Sequence, residues 1–484
     1  MDLKKKKIII AIMVAMFLGA VEGTVVTTAI PTIVKDLNGF ELISWIFSVY
    51  LLTSAISTPI YGKLSDLYGR KNILSIGIMI FLVGSSLCGV SQSMYQLIIF
   101  RSVQGLGAGA IFTVTYTIVG DIFTLSERAK VQGWVSTTWG IASLFGPLLG
   151  GFLIDYLSWH WIFFINIPFG ILSIILLQRN LVENFERKRH KIDYAGTIAL
   201  SSAIIALLYG VLAGMKNSTV VTVSMILTVL FLVIFYFVEK KAEEPILPFE
   251  IFTKSNAVVN IISFLASAVL MGADVYMPIY MQNVLGYSAT VSGISMAPMS
   301  LSWLLVSVIL AKAITKRGEK VVIASSMLVL LLSCILLLTL KVNSPLILVI
   351  IYAFIMGFGF GGGFNTMTIV VQSSVDYSKR GAATACNSLL RTLGQTIGIS
   401  IFGSIFNLNI LKYFNILGIK DIELNNLYSM ASGNRGVSLE QIKISINSGL
   451  QVIFIASILI VAVCLALSFT ISSKLKEQDG YNIE

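Results

Sequence analysis

Gly62-Lys-Leu-Ser-Asp66-Leu-Tyr-Gly69-Arg70-Lys71 stands between two long apolar runs, 42–61 and 73–92, and its reading decides the fold. Read as a tight turn, the string has glycine at both ends, where close backbone approach or positive φ is needed. Asp66 suits a helix N-terminus, whose macrodipole favours an anion. Arg70 and Lys71 are placed to pair with acids across the same face. Such charge pairs form in one state and break in another, which suits a loop that rearranges. The flanking runs each approach the 20 or so apolar residues that a bilayer-crossing helix needs, so the string joins two spans.

Working outward on the same criterion, about fourteen spans follow one another. Their cores lie at 8–34, 42–61, 73–92, 96–120, 131–153, 161–178, 194–214, 220–238, 257–281, 291–311, 322–340, 346–371, 382–407 and 448–472. Composition agrees: of 484 residues 56% are hydrophobic and 12% charged, where a soluble domain carries about a quarter. The mean hydropathy of +0.88 excludes an ordinary soluble enzyme, because the apolar excess has to face lipid. A net charge of +10 invites a nucleic-acid reading, but that requires the cations on one solvated face. Instead they cluster between spans, as in Lys4-Lys5-Lys6-Lys7, Arg70-Lys71 and Arg187-Lys188-Arg189. That is the positive-inside pattern. The basic loops share one side only if the span count is even and both termini are cytoplasmic. The first run is long enough to be a retained helix rather than a signal peptide.

Cys88, Cys334, Cys386 and Cys464 lie in apolar runs without paired spacing, and His160 and His190 are too few for a metal site. The stretch 408–446 is expected to be a long external loop, with a short amphipathic helix around Leu439–Ile446.

A weak internal repeat divides the chain. Pro31 is followed 38 residues later by Gly69, and Pro278 is followed 40 residues later by Gly318. The layout predicts six spans in 1–193, two inserted spans in 194–240 and six more in 241–484. The expected fold is all-α and integral to the membrane: two six-helix bundles plus two inserted helices.

The opening string resembles the signature loop of the major facilitator superfamily. Leu97-Ile-Ile-Phe-Arg101-Ser-Val-Gln104-Gly105-Leu-Gly107-Ala-Gly109 resembles that family's helix 4 motif. Gly140-Ile-Ala-Ser-Leu-Phe-Gly146-Pro147-Leu-Leu-Gly150-Gly151 resembles its helix 5 antiporter motif. Ser158-Trp-His-Trp161-Ile-Phe-Phe-Ile-Asn166-Ile-Pro168-Phe-Gly170 is similar to the start of helix 6 in fourteen-helix drug/proton antiporters. The resemblance implies the major facilitator fold with a mid-membrane substrate site between the halves. It also implies proton-coupled efflux of small lipophilic compounds by a monomer in the cell membrane, with no cofactor beyond the proton gradient. Asp121 resembles a family acid that pairs with the loop cations. The family often carries Asp where this chain has Glu22.

The residues also have readings of their own. Arg101 lies inside a span, where an unpaired cation is expensive, so it should face inward and pair. Gly105, Gly107 and Gly109 should thin one helix surface for close packing, and Gly146-Pro147 can kink its helix. Packing alone is the competing reading for these glycines. Glu22 and Asp274 lie deep in apolar runs, where burying a charge is costly, and are candidate proton sites. Arg391 lies near mid-membrane as a partner for an acid or an anionic substrate group, with Asn365, Asn387 and Gln395 adding neutral hydrogen-bonding capacity. Asp155 reads as an interfacial cap. Gly357-Phe-Gly359-Phe-Gly361-Gly362 fits a dinucleotide fingerprint but lies within a span, so it is helix packing. The alternatives are a dedicated exporter or importer of one metabolite or ion, a transport-dead sensor, and a hydrolytic membrane enzyme; for the last no Ser/His/Asp or metal constellation is present.

Overall fold

The structure is a computed structural model, and it describes residues 3–123, 125–181, 193–213, 218–242, 245, 252–375, 380–419, 422–427 and 437–471. Every regular element among them is helical. Hydrocarbon offers no partner for a backbone N–H or C=O, and the helix satisfies both within one segment. The first bundle comprises α1 (Leu3–Leu37), α2 (Ile43–Tyr68), α3 (Arg70–Gly89), α4 (Met94–Ile122) and α5 (Leu125–Tyr156). Its sixth span is broken into α6 (Trp161–Phe164) and α7 (Asn166–Asn180). The inserted pair is α8 (Tyr194–Ala213) and α9 (Ser218–Lys241). The second bundle contains α10 (Lys254–Ile279), α11 (Ala289–Leu337), α12 (Leu346–Ser373), α13 (Arg380–Ile416) and α14 (Leu439–Ser468).

Among the described residues, thirteen helical stretches are long and apolar enough to cross a membrane. The apolar stretch found in α8, Tyr194–Leu207, is shorter. Large apolar side chains left exposed, among them Ile198, Ile226 and Leu459, stand where lipid replaces water. Of the inserted pair, α8 lies against α2 and α13, one helix from each bundle, and α9 packs on α8.

Two expectations are revised and a third is sharpened. The string 62–71 is hardly a loop, because α2 runs through Tyr68 and the whole break is Gly69, at φ 90°. The spans at 291–311 and 322–340 are both present within α11, as two helices that meet with only Gly318, at φ 76°, between them. Both positions lie in the left-handed region, where a Cβ is strained, and the repeat therefore places the same one-residue joint in both halves. The 408–446 loop is much shorter than expected: α13 continues to Ile416 and α14 begins at Leu439. A capping box sets that start, Ser438 Oγ accepting from Gln441 N while the Gln441 side chain accepts from Ser438 N. The anticipated amphipathic helix is simply the first two turns of α14.

Glycine governs how closely the helices approach, but not on one surface. A Cβ at Gly105 or Gly109 would strike the Tyr50 and Ser54 carbonyls of α2, whereas one at Gly107 would strike Phe81 N of α3. The α4 glycines are therefore split between opposite neighbours. The run at 357–362 packs likewise: Gly357 and Gly361 face Met299 and Trp303, and Gly359 and Gly362 face Leu330 and Ser326 across the joint of α11.

Candidate functional site

Among the described residues the first bundle holds one fully buried ion pair. Glu22 of α1 and Arg101 of α4 are each 1% exposed, and Arg101 Nη1 donates to Glu22 Oε1 at 2.5 Å. The same Nη1 donates to Gln104 Oε1 at 2.7 Å, Gln104 being one turn further along the same helix face. Arg101 Nε donates to the Ile46 carbonyl of α2 at 3.4 Å, and the guanidinium lies 4.2 Å from the Tyr50 ring centroid. The other oxygen of Glu22 accepts from Asn166 Nδ2 at 2.8 Å. Asn166 also donates to Ser85 Oγ of α3 at 3.0 Å, and Ser85 donates to the Phe163 carbonyl at 2.8 Å. Four spans besides α1 thus hold one carboxylate–guanidinium pair in place. Without these partners such a pair would not repay its desolvation.

The expectation that Arg101 faces inward and pairs is met. Gln104 and Asn166 stand within the quoted motifs, but their part in fixing Glu22 was not anticipated. The signals were the i, i+3 spacing from Arg101 and an amide opening an apolar helix. For Tyr50 and Ser85 the sequence offers no comparable signal.

The second bundle's charged residues are not brought to this cluster. Asp274 is half-buried on α10 between buried Ala273 and Val275, and it makes no hydrogen bond or ion pair with a described residue. Arg391 of α13 donates through Nη2 to the Phe364 carbonyl at 2.8 Å and to Thr368 Oγ1 at 3.0 Å. Its guanidinium lies 4.5 Å from the Phe364 ring centroid. Asn387 donates to Asn260 Oδ1 at 2.8 Å, and Asn260 donates in turn to Asn256 at 2.8 Å. That ladder ties α13 to α10, and Asn365 donates to Ser307 at 2.7 Å.

The helix 5 motif serves two neighbours. A Cβ on Gly146 or Gly150 would run into Thr24 Oγ1 or Thr28 Oγ1 of α1. Gly140 instead faces Leu304, and Gly151 faces the Ala289–Thr290 backbone, both on α11 of the other bundle. Pro147 lies within a continuous α5, and its carbonyl sits against Gly293 of α11. Asp155 caps α11, accepting from Thr290 N at 2.9 Å, so the anticipated interfacial cap is a bridge between bundles.

Further bonds cross between the bundles, mainly near the membrane face remote from the chain termini. Gln282 Nε2 donates to the Thr28 carbonyl at 2.9 Å from the single π-helical turn Tyr280–Val284 that follows α10. Ser48 and Ser400 share a hydrogen bond of 2.8 Å. Asn407 Nδ2 donates to the Glu41 carbonyl at 3.2 Å, and Phe40 stacks on Phe406. Nearer mid-membrane, Ser300 Oγ donates to the Ser143 carbonyl at 3.0 Å.

At the opposite face, Arg70 Nη1 donates to the Ser65 carbonyl at 3.4 Å across the Gly69 joint. Gly62 departs from expectation: it is helical, and a Cβ there would make only an ordinary 3.5 Å contact with Thr113. The side chains of Asp66 and Asp121 lie outside the described residues, and so does the pairing expected of them. Among the described residues no cluster of three or more His, Cys, Asp or Glu is placed to hold a metal.

Comparison with known proteins leads to the same place. The Major Facilitator Superfamily matches residues 12–399. Multidrug resistance protein 3 of Bacillus subtilis (strain 168) is 35% identical over 405 residues, 83% of this chain and 79% of that protein. Multidrug efflux pump SdrM of Staphylococcus aureus (strain N315) is 32% identical over 408 residues, 84% of this chain and 91% of that one. Among solved structures, a bacterial homologue of the human lysosomal transporter Spinster, inward-facing and occupied, matches with a TM-score of 0.70 at 15% identity, covering 99% of this chain and 100% of that one. The D-xylose–proton symporter matches with a TM-score of 0.61 at 14% identity, over 90% and 98% of the two chains. At such identities the structures speak to fold alone, while the family match and the sequence relatives speak to kinship. With two helical bundles meeting at glycine-lined helices and a buried acid–base pair inside the first of them, the chain belongs to the Major Facilitator Superfamily of multi-pass membrane transporters.

Proposed function

We propose that the chain exports small lipophilic compounds by exchanging them for protons, with Glu22 as the coupling acid. The observation that carries this reading is the Glu22–Arg101 pair, shut inside a lipid-embedded bundle. A carboxylate is acceptor-only, and protonation removes the charge that Arg101 answers while leaving Gln104, the Ile46 carbonyl and the Tyr50 face in place. The proton state of one side chain therefore sets how firmly α1 is held to α4. α1 also carries the Thr28 carbonyl that accepts from Gln282 of the other bundle. A change at Glu22 reaches that inter-bundle contact along less than two turns of one helix.

In this reading 1–193 and 241–484 move against each other as a monomer, 194–240 rides between them, and both termini are cytoplasmic. Asp274, half-buried and without a partner among the described residues, is a second site for proton exchange. Arg391 faces substrate. Asp66, Arg70, Lys71 and Asp121 form the charge switch at the cytoplasmic face. Export rather than import is supported by relatives named multidrug efflux and resistance proteins. A membrane potential supplies about 2.3 kcal/mol per charge per 100 mV and a pH unit about 1.36 kcal/mol. One proton moving down both sustains a substrate gradient of roughly several hundredfold.

The test is uptake of fluorescent dyes and antibiotics into everted membrane vesicles carrying the protein. Accumulation should follow an imposed proton gradient and stop when a protonophore collapses it. Uptake indifferent to the protonophore would remove the proton from the mechanism. Uptake of a single compound from a broad panel would replace the multidrug reading with a dedicated exporter.

A further inference from the structure

Asn166 stands between the buried ion pair and the break in the sixth span. It follows Ile165, the residue that separates α6 from α7. Pro168 offers no N–H to the Phe164 carbonyl one turn back, so the helical ladder fails at this point. Asn166 and Ser85 are both buried, away from water that could supply a partner. One atom of Asn166, Nδ2, donates to Glu22 Oε2 at 2.8 Å and to Ser85 Oγ at 3.0 Å. Ser85 has a single proton to give, and it goes to the Phe163 carbonyl of α6 at 2.8 Å. Both amide protons and the hydroxyl proton of this set are therefore committed.

That arrangement suits only the ionised acid. A carboxylate accepts and never donates, so Asn166 has to present its nitrogen to Glu22. A proton arriving from bulk water adds to Oε2, because Oε1 is turned toward the Arg101 cation. An O–H bond forms there and no bond of the protein breaks. Oε2–H and Nδ2–H then point at each other, two buried donors without an acceptor between them, which is costly. The relief that moves least is a half-turn of the Asn166 amide about its last torsion, which is a broad and roughly two-fold one. Oxygen and nitrogen exchange places with almost no change in volume. Oδ1 then accepts from Oε2–H on one side and faces Ser85 Oγ on the other. Ser85 answers it by swinging its hydroxyl off the Phe163 carbonyl. That hydroxyl ties α6 to α3, and α6 is joined to Trp159, whose Nε1 donates to Asp36 Oδ2 at the outer end of α1 at 2.7 Å. Beyond Asp36 the chain reaches Phe40, which stacks on Phe406 of the second bundle. The titratable groups that act on Glu22 are Arg101 of α4, Tyr50 of α2 and Cys88 of α3. Among the described residues α5, α6, α7 and α10 present none to it.

We propose that Asn166 reads the proton state of Glu22: its amide turns over when Glu22 is protonated and, through Ser85, loosens α6 at the outer face. Asn166 and Ser85 are positioning residues, acting through hydrogen bonds and touching no substrate. The proposal rests on the reading of Glu22 as the coupling acid, and adds how its neutral form is felt beyond α1 and α4.

The test is infrared difference spectroscopy of the purified full chain in detergent across a pH titration. The carboxylic C=O band of protonated Glu22 is identified by its absence in Glu22→Gln, and the Asn166 amide band by its absence in Asn166→Leu. In the wild type the amide band should shift in the same pH step in which the carboxylic band appears. An amide band that stays in place while Glu22 takes up its proton would overturn the proposal. Ser85→Ala should keep both bands but break the link to α6. Its proton-driven uptake of ethidium into proteoliposomes should fall roughly tenfold relative to gradient-free exchange, a coupling loss of ordinary size. A merely structural serine would lower both rates together, and an unchanged ratio in Ser85→Ala would overturn the relay. If Asn166→Leu fails to fold, asparagine isotope-labelled at its side-chain carbonyl identifies the band instead. A labelled band that moves in the wild type and not in Glu22→Gln then supports the proposal, and none contradicts it. Wild-type uptake that ignores a protonophore, with the two bands still moving together, sinks the export reading and keeps the amide switch. Proton-driven uptake with a stationary amide band does the reverse. Should no carboxylic band of Glu22 appear at any pH at which the protein stays folded, both fall.

Discussion

Arg101 and Arg391 sit in opposite bundles on comparable scaffolds and end in opposite electrostatic states. Each guanidinium lies over an aromatic ring, Tyr50 at 4.2 Å or Phe364 at 4.5 Å, and each donates to a backbone carbonyl on a neighbouring helix. Arg101 is 1% exposed and has Glu22 as its counter-charge. Arg391 is half-buried and has a hydroxyl, Thr368, where Arg101 has an acid. A bundle that holds both charges of a pair can respond to a proton. A bundle that holds only one can respond to a charged ligand. In the proposed reading the coupling acid therefore belongs to the first bundle, while the second bundle's arginine has no counter-charge among the described residues.

Removing the acid's partner should hurt most. Arg101→Ala leaves Glu22 charged in a dry interior with only neutral donors such as Asn166, at a cost of about 3–5 kcal/mol. Arg391→Ala strands no acid and should cost about 1–2 kcal/mol. Thermal unfolding of the two variants in the same detergent measures the gap. Similar losses would mean that the two arginines are not different in kind. The double variant Glu22→Gln/Arg101→Gln should recover part of the Arg101→Ala loss, because neither charge is then left alone.

The next effect separates the two faces of α5. At Gly151 a Cβ meets the backbone of Ala289 and Thr290, which no rotamer change relieves, whereas at Gly146 it meets the movable hydroxyl of Thr24. Gly151→Ala should push the bundles apart at the remote face and slow transport roughly tenfold, with Gly146→Ala milder. Spin-label distances between α5 and α11 would show a longer separation for the first variant alone. An unchanged distance would exclude the α5–α11 contact as a gate.

The one-residue joints should behave alike. Gly69→Ala and Gly318→Ala each force a Cβ into positive φ, at about 1–2 kcal/mol apiece, seen as a drop of a few degrees in melting temperature. A large difference between them would mean that the repeat is not mechanically symmetric. Smallest of all, Ser48→Ala removes one hydroxyl from the Ser48–Ser400 contact. It should shift the conformational balance by a few-fold at most, about 0.5–1 kcal/mol.

Much of this was legible in the sequence because lipid leaves the chain few choices. Apolar length marks the spans, and loop cations predict the topology. The charge in Arg101 demands a partner, which made an inward-facing pair foreseeable. Which partner it takes depends on helix rotation, and rotation is set by contacts such as Gly105 on Tyr50 that no single span encodes. That is why Asn166, Ser85 and Tyr50 were missed as parts of the site, and why Glu22 and Asp274 looked alike. The string 62–71 misled about its shape. A helix can run up to a lone glycine and restart, so turn-like composition spread over ten residues was resolved by Gly69 alone. The 408–446 stretch misled for a related reason: polar residues at the ends of α13 and α14 extend the helices beyond the apolar core.

The proposed coupling role of Glu22 is tested most directly by Glu22→Gln in proteoliposomes loaded with a fluorescent substrate. With no proton gradient, exchange of labelled for unlabelled substrate across the membrane should persist, since the proposed role of Glu22 is to couple the proton and not to bind substrate. With an inward-directed proton gradient, uphill movement should vanish, because a neutral amide cannot carry the proton. Uphill transport at the wild-type rate, or loss of exchange together with pumping in a folded variant, would contradict the account.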